Sequence, residues 1–269
     1  MSTKTSEIDI CQSDLVNSKK LCLFLADYSS WLLGCGATCI RLETNVKRIA
    51  ATYGYDVELT TMPRHINITV ARAGTDDVFT SMTAVRHTAI NFDMNTRLSN
   101  LSWRISDHNL RLDEARRMFN SIVRPCPSNE WALTLIVSLA NASFCRLFGG
   151  DTMAMAVVFI ATFVGFMLKQ TLIKWGVDLR LTVIFCAFIS SILCASGLLF
   201  GLGSTPRIAL ATSVLYLVPG IPLINSFCDL LYRHYICAFS RFLDAMVLTC
   251  CLSIGLCAGM MIMNVGMFD

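Results

Sequence analysis

Residues 217–234, LVPGIPLINSFCDLLYRH, place two prolines, an amide and a carboxylate in an apolar run. Proline lacks an N–H and clashes with the carbonyl four residues back, so Pro219 frees the carbonyl of Leu215 and Pro222 that of Val218. Hydrocarbon cannot satisfy such groups, so in a membrane they must face protein, an ion or a watery cavity. A helix can restart at Pro222, because proline suits the first helical position, and its leading N–H groups then point back at the break. Broken helices of this kind offer carbonyls to a cation and N–H donors to an anion. A zwitterionic amino acid would match both ends, and a carboxylate metabolite would match the donor end. The candidate substrate or coupling residues are Pro219, Gly220, Pro222, Asn225, Asp229 and Asp244, with Asn225 adding a side-chain hydrogen bond. Asp229 falls near the inner membrane surface, at a wet interface, and the two aspartates are the candidates for proton coupling. The plainer alternative is a kinked span with an interfacial aspartate.

Other reactive residue types give no comparable pattern. His65, His87, His108 and His234 form no HExxH pair, and no GxSxG motif occurs. No catalytic residue, metal ligand or cofactor is assigned, and the chain reads as a non-enzyme; a membrane-tethered hydrolase is the enzymatic alternative. The 13 cysteines include no CxxC pair, and most lie in apolar runs, as do Cys186, Cys194, Cys250, Cys251 and Cys257. Cysteine there acts as a small apolar residue. Cys35 and Cys39, four apart, are expected on one helix face as packing residues. Many unpaired thiols fit a reduced cytoplasmic compartment for the front of the chain. No dense basic run points to nucleic acid.

The elements that must position the broken run follow from composition. The chain is 54% hydrophobic, which points to an integral membrane protein. Residues 1–130 hold 15 of the 22 Lys/Arg and 14 of the 19 Asp/Glu, leaving seven and five for residues 131–269. A junction is expected near Pro125–Ser128. The division is a disordered tail (1–18), a soluble cytoplasmic α+β domain (19–130) and an all-α bundle of five transmembrane helices (131–269). The five apolar segments are 131–148, 152–168, 181–203, 206–225 and 242–266, each close to the ~20 residues that cross a bilayer. With the front inside, inner loops carry Lys169, Lys174, Arg180, Arg233 and Arg241, and outer ends carry Arg146 and Arg207. This bias sets the N-terminus inside and the C-terminus outside. Gly197/Gly201 and Gly255/Gly259 are GxxxG spacings that let helices pack closely in lipid.

In the front, residues 19–54 show helical periodicity, with Gly34 and Gly36 weakening the helix or admitting another backbone, and Gly54 as a C-cap. Val57–Thr61 and Ile66–Val70 alternate as a hairpin around Met62-Pro63-Arg64. Gly74–Asp77 is a second turn, Val78–Arg86 a third strand, and 92–105 and 111–123 are helices, the last with Asp113 and Glu114 in its first turn. The result is an antiparallel meander with helices on one face.

LLGCGATCIRLETNVKRIAATYG resembles the N-terminal signature of the threonine/serine exporter (ThrE) family, and LVPGIPLINSFCDLL resembles its membrane signature. The resemblance runs from about Lys19 to Met267. On the soluble motif it falls on Gly34, Gly36, Arg41 and Glu43; on the membrane motif, on Pro219, Gly220, Pro222, Asn225 and Asp229. Full-length members have about ten spans, so five spans resemble the half-size YjjP-type subunits, which pair with a small YjjB-like membrane protein. The resemblance implies a multi-pass subunit of a cytoplasmic (inner) membrane exporter, moving threonine/serine or a dicarboxylate such as succinate. The partners implied are the YjjB-like protein, the lipid bilayer and a small-molecule substrate, with a homo-oligomer left open. Arg41 and Glu43 read as an ion pair or a substrate gate. A regulatory or structural membrane subunit is the other reading.

Overall fold

The computed structural model describes residues 3–72, 74, 78–86, 88–124, 129–199 and 204–264, with side chains from residue 18 onward except 198 and 199. The chain divides into two compact units. The first takes Met1–Pro125 and also Ile221–Phe242; the second takes Cys126–Gly220 and Leu243–Asp269.

The first unit is built on α1 (Thr3–Gly34) and α2 (Cys39–Thr52), followed by β1 (Tyr55–Thr61), β2 (His65–Arg72) and β3 (Val78–Ala84). Helix α1 begins inside the segment read from composition as a disordered tail. The strands form an antiparallel sheet of order β1-β2-β3, with Leu59 opposite Ile68 and Ile68 opposite Ser81. Alternation sends Ile66, Ile68 and Val70 into the core and leaves Asn67 and Thr69 outside it. Met62 and Met82 lie exposed. Helices α3 (Phe92–His108) and α4 (Leu112–Ile122) complete the layer. Apolar residues of α1 and α2, such as Leu21, Phe24, Tyr28, Leu42 and Ile49, meet Leu98, Leu101, Ile105 and Phe119 in one buried cluster. Phe119 stands edge-on to Phe24, and the Tyr28 hydroxyl donates to the Leu98 carbonyl at 2.9 Å. Asn91 caps α3 by accepting from Met94 N. The second turn is outside the described residues except for Gly74, as are His87 and the 125–128 junction.

The second unit contains α5 (Glu130–Leu147), α6 (Thr152–Lys174), α7 (Leu179–Leu199), α8 (Pro206–Thr212) and a 3-10 turn (Leu215–Leu217). Helix α9 (Gly220–Leu231) belongs to the first unit apart from its first residue, and α10 (Tyr235–Ile262) continues from the first unit into the second. Among the described residues, three helical stretches are long and apolar enough to cross a membrane: Thr152–Lys174, Leu179–Gly197 and Tyr235–Ile262. The broken pair Pro206–Leu217 and Gly220–Leu231 would be a fourth if read as one span. The segment 131–148 does form α5 but is not among these spans. Glu130 and Arg146 stand at its ends, and Thr134, Ser138, Asn141 and Ser143 interrupt its apolar run.

Small residues set the packing of the second unit. A β-carbon on Gly255 would collide with the Ile184 carbonyl, and one on Gly259 with the Ser191 hydroxyl, so α10 and α7 meet backbone to backbone. Gly197 faces the Val157 methyls, while Gly201 is outside the described residues.

Candidate functional site

The site forms where the two signature stretches of sequence meet, inside the first unit. Helix α1 ends at Gly34, which must be glycine because the Arg86 carbonyl lies where a β-carbon would sit. The chain then turns through Gly36 at φ +95°, a left-handed conformation that favours glycine, and α2 starts at Cys39. The N-cap residue Thr38 makes no side-chain capping bond. Its task passes to Asp229, whose Oδ1 accepts the Cys39 N–H at 2.8 Å. A carboxylate there also meets the positive end of the α2 dipole.

Asp229 has no exposed surface and so needs a full set of partners. Arg241 supplies the charge: its Nη1 donates to Asp229 Oδ2 at 2.8 Å, and its Nη2 donates to the Ala37 carbonyl at 2.9 Å. Asn225, one turn before Asp229 on α9, donates from Nδ2 to the Gly36 carbonyl at 2.9 Å. Ser226 donates to the Ala238 carbonyl at 2.7 Å and binds α9 to the first turn of α10. His234 Nε2 stands 3.7 Å from Glu43 Oε2, and Glu43 also pairs with Lys47. Three side chains thus grip the turn 36–39 and the N-terminus of α2.

This geometry revises four sequence expectations. Asp229 is buried and ion-paired, not at a wet interface. Arg41 and Glu43 do not pair with each other, because Arg41 turns to Asn95 Oδ1 at 3.1 Å. Cys35 and Cys39 do not share a helix face, because a helix break lies between them. The freed carbonyls at the prolines are not waiting for an ion: Val218 N donates to the Leu215 carbonyl at 3.1 Å, and Gly220 N to the Val218 carbonyl at 2.8 Å. The tight turn satisfies them locally, and α9 starts at Gly220 with Pro222 third in the helix, where its missing N–H would have no intrahelical partner.

Gly34, Gly36, Asn225 and Asp229 therefore share one region, with Arg41 and Glu43 on α2 beside it. Pro219 and Gly220 belong to the second unit, at the break itself. Asp244 is exposed on α10, also in the second unit. Sequence reasoning missed Arg241, counted only as a loop charge, and Cys237, whose thiol donates to the Thr61 carbonyl at 3.4 Å. It also missed a polar seam in the second unit. Asn141 donates to Thr162 at 2.6 Å and to the Thr212 carbonyl at 3.2 Å, and Ser190 bonds the Tyr216 hydroxyl at 2.9 Å over Gly165. The available signal was a lone amide, Asn141, inside an apolar segment. Among the described residues, no group of three His, Cys, Asp or Glu could hold a metal ion. His65 and His108 are exposed.

A family model described as "Putative threonine/serine exporter" (ThrE) matches residues 23–263, which takes in both signature stretches. A "Probable succinate transporter subunit YjjP" of Klebsiella aerogenes is 30% identical over 245 residues, covering 90% of this chain and 92% of that protein. Its namesake in Escherichia coli K12 is 28% identical over 229 residues, covering 84% and 88%. A "Probable threonine/serine exporter" of Mycobacterium tuberculosis is 25% identical over 203 residues, covering 75% of this chain but 37% of that protein. No solved structure matches the chain. The chain, a membrane protein by its apolar helices, belongs to the threonine/serine exporter family.

Proposed function

We propose that this chain is one subunit of a secondary exporter in the cytoplasmic (inner) membrane, working with a small YjjB-like membrane protein to move a small carboxylate-bearing metabolite outward. The soluble α+β part lies inside, five spans follow, with α5 as the first and the broken pair as the fourth, and the C-terminus lies outside. The observation that carries the reading is the grip of Asn225, Asp229 and Arg241 on the turn 36–39. It fixes α9, the helix that follows the proline break, to a folded soluble core. A helix held in this way keeps its leading N–H groups in one place, as an anion site requires.

A dicarboxylate has more support as substrate than threonine or serine. The carbonyls at Leu215 and Val218 already accept hydrogen bonds, which weakens the cation-binding half of the break. The donor half, at the start of α9, suits a carboxylate. Two relatives, covered by the match to 92% and 88% of their length, are named for succinate. Pro219, Gly220 and Pro222 would shape the site, Asn225 and Asp229 would hold it, and Asp244 is the coupling candidate.

The test is efflux from cells preloaded with labelled succinate or threonine. Export is expected only when the chain is co-expressed with a YjjB-like partner, and for succinate above threonine. Full export in liposomes holding this protein alone would refute the two-subunit reading.

A further inference from the structure

Lys169 places a cation inside the second unit, within α6, one of the helices long and apolar enough to span a membrane. The face that α6 turns inward holds Ala154, Val158, Ala161, Thr162 and Gly165. Lys169 follows Thr162 by seven residues and Gly165 by four, so helical geometry sets it on the same face. Its Nζ rests over the Phe166 ring, 5.9 Å from the centroid, and the Phe166 ring meets the Tyr216 ring edge-on at 6.3 Å. The Tyr216 hydroxyl bonds Ser190 Oγ at 2.9 Å. A β-carbon on Gly165 would collide with both oxygens, so this hydroxyl pair lies against α6 one turn before Lys169. Lys174, five residues on, stands exposed and has a carboxylate in Glu130. Lys169 is half-buried, and among the described residues no carboxylate pairs with it.

A cation in a membrane helix marks an ion or substrate path by default, because lipid tails offer it no counter-charge. The face of Phe166 attracts the ammonium but leaves its charge uncompensated. Of two paired hydroxyls, one donates to the other, which leaves one hydrogen for a further acceptor. The Ala161 carbonyl takes it from Ser190 only at 3.5 Å. A cation without a counter-ion and a spare hydroxyl hydrogen one turn away form a donor set for a carboxylate. We propose that Lys169 binds a carboxylate of the transported anion, with the Tyr216–Ser190 hydroxyl pair as the second donor. This site presupposes the exporter reading above and supplies the charge that selects its substrate. In that topology the C-terminal end of α6 faces the cytoplasm, the side from which an exported anion arrives. A dicarboxylate brings net negative charge to Lys169, whereas threonine also brings an ammonium that Lys169 repels.

The test measures binding of labelled succinate to the full chain, purified in detergent with and without a YjjB-like partner, beside efflux from cells expressing both. Wild type should bind succinate above threonine. Lys169→Gln should weaken succinate binding by about tenfold or more, as loss of a hydrogen bond between charged groups does. Lys169→Arg should retain most of the affinity. Lys169→Met, a neutral side chain better suited to lipid, should match Lys169→Gln and guards against a glutamine variant that fails to insert. Tyr216→Phe keeps the ring contact with Phe166 and should weaken binding by a smaller factor. Unchanged succinate affinity in the neutral Lys169 variants would overturn the proposal and reduce Lys169 to a side chain that snorkels to the membrane surface. So would absence of succinate binding in both wild-type preparations. Binding that depends on Lys169 without efflux by the wild-type pair would keep the anion site and sink the exporter reading instead.

Discussion

The carboxylate of Asp229 and the guanidinium of Arg241 pair at 2.8 Å, and each also holds the turn that opens α2: Asp229 through the Cys39 N–H, Arg241 through the Ala37 carbonyl. Residues distant in sequence thus form one closed set of hydrogen bonds around a charge with no exposed surface.

Breaking that set should cost stability. Asp229→Asn can still accept the Cys39 N–H but leaves Arg241 without its counter-charge. Removing one member of a buried pair costs about 3–5 kcal/mol. The Arg241 side chain is 21% exposed, so the low end applies. Arg241→Gln should cost a similar amount, and the double variant clearly less than the two together. Unfolding of the detergent-solubilised protein measures all three, and additivity within about 0.5 kcal/mol would show that the pair is uncoupled.

Gly34→Ala should destabilise through overpacking, by about 1–3 kcal/mol, because its β-carbon meets the Arg86 carbonyl. Gly36→Ala faces a different cost, the left-handed backbone at φ +95°, together with contact on Ile90. Thermal unfolding should place both below wild type, while Gly54→Ala, with open space around it, should lose less than Gly34→Ala.

Pro222→Ala restores an N–H at the third residue of α9. It gives the Val218 carbonyl a second donor beside Gly220 N, drawing the break towards regular helix. Efflux should fall at unchanged membrane abundance. Wild-type efflux would reduce the break to a kink.

Reporter fusions check topology. A C-terminal alkaline phosphatase should be active and a C-terminal green fluorescent protein dark if five spans start from an inside N-terminus. The reverse pattern would leave an even number of spans, as when α5 stays out of the membrane.

Asp151 gives a pH dependence. It caps α6 by accepting from Ala154 N at 2.7 Å and also accepts from Ser204 N and its hydroxyl. These bonds, to Ala154 N first and Ser204 N next, hold its carboxyl down to about 2. A depressed carboxylate stabilises the fold above its unfolded value of about 3.9 and loses that contribution as pH falls through the folded one. Asp151→Asn should therefore flatten the unfolding profile between about pH 4 and pH 2 and change little in its shape above that window.

The membrane character, the sheet, the limits of α4 and α5 and the two signature stretches were legible in the sequence alone. Period-two alternation in Ile66–Val70 and helical spacing in Leu21–Leu33 depend only on which side of an element is buried. Gly54 could be read as a helix end because a positive φ is a local demand, here +75°. Tertiary structure alone decided that the two stretches meet, that Asp229 is buried, and that Arg241 and Cys237 belong beside it. Partners in a hydrogen-bond network are set by three-dimensional proximity, and no periodicity within 34–43 or 217–234 specifies the other stretch. The prolines show the same limit. Sequence identified which carbonyls lose their helical donor, but only the folded turn showed that Val218 N and Gly220 N take the donor's place.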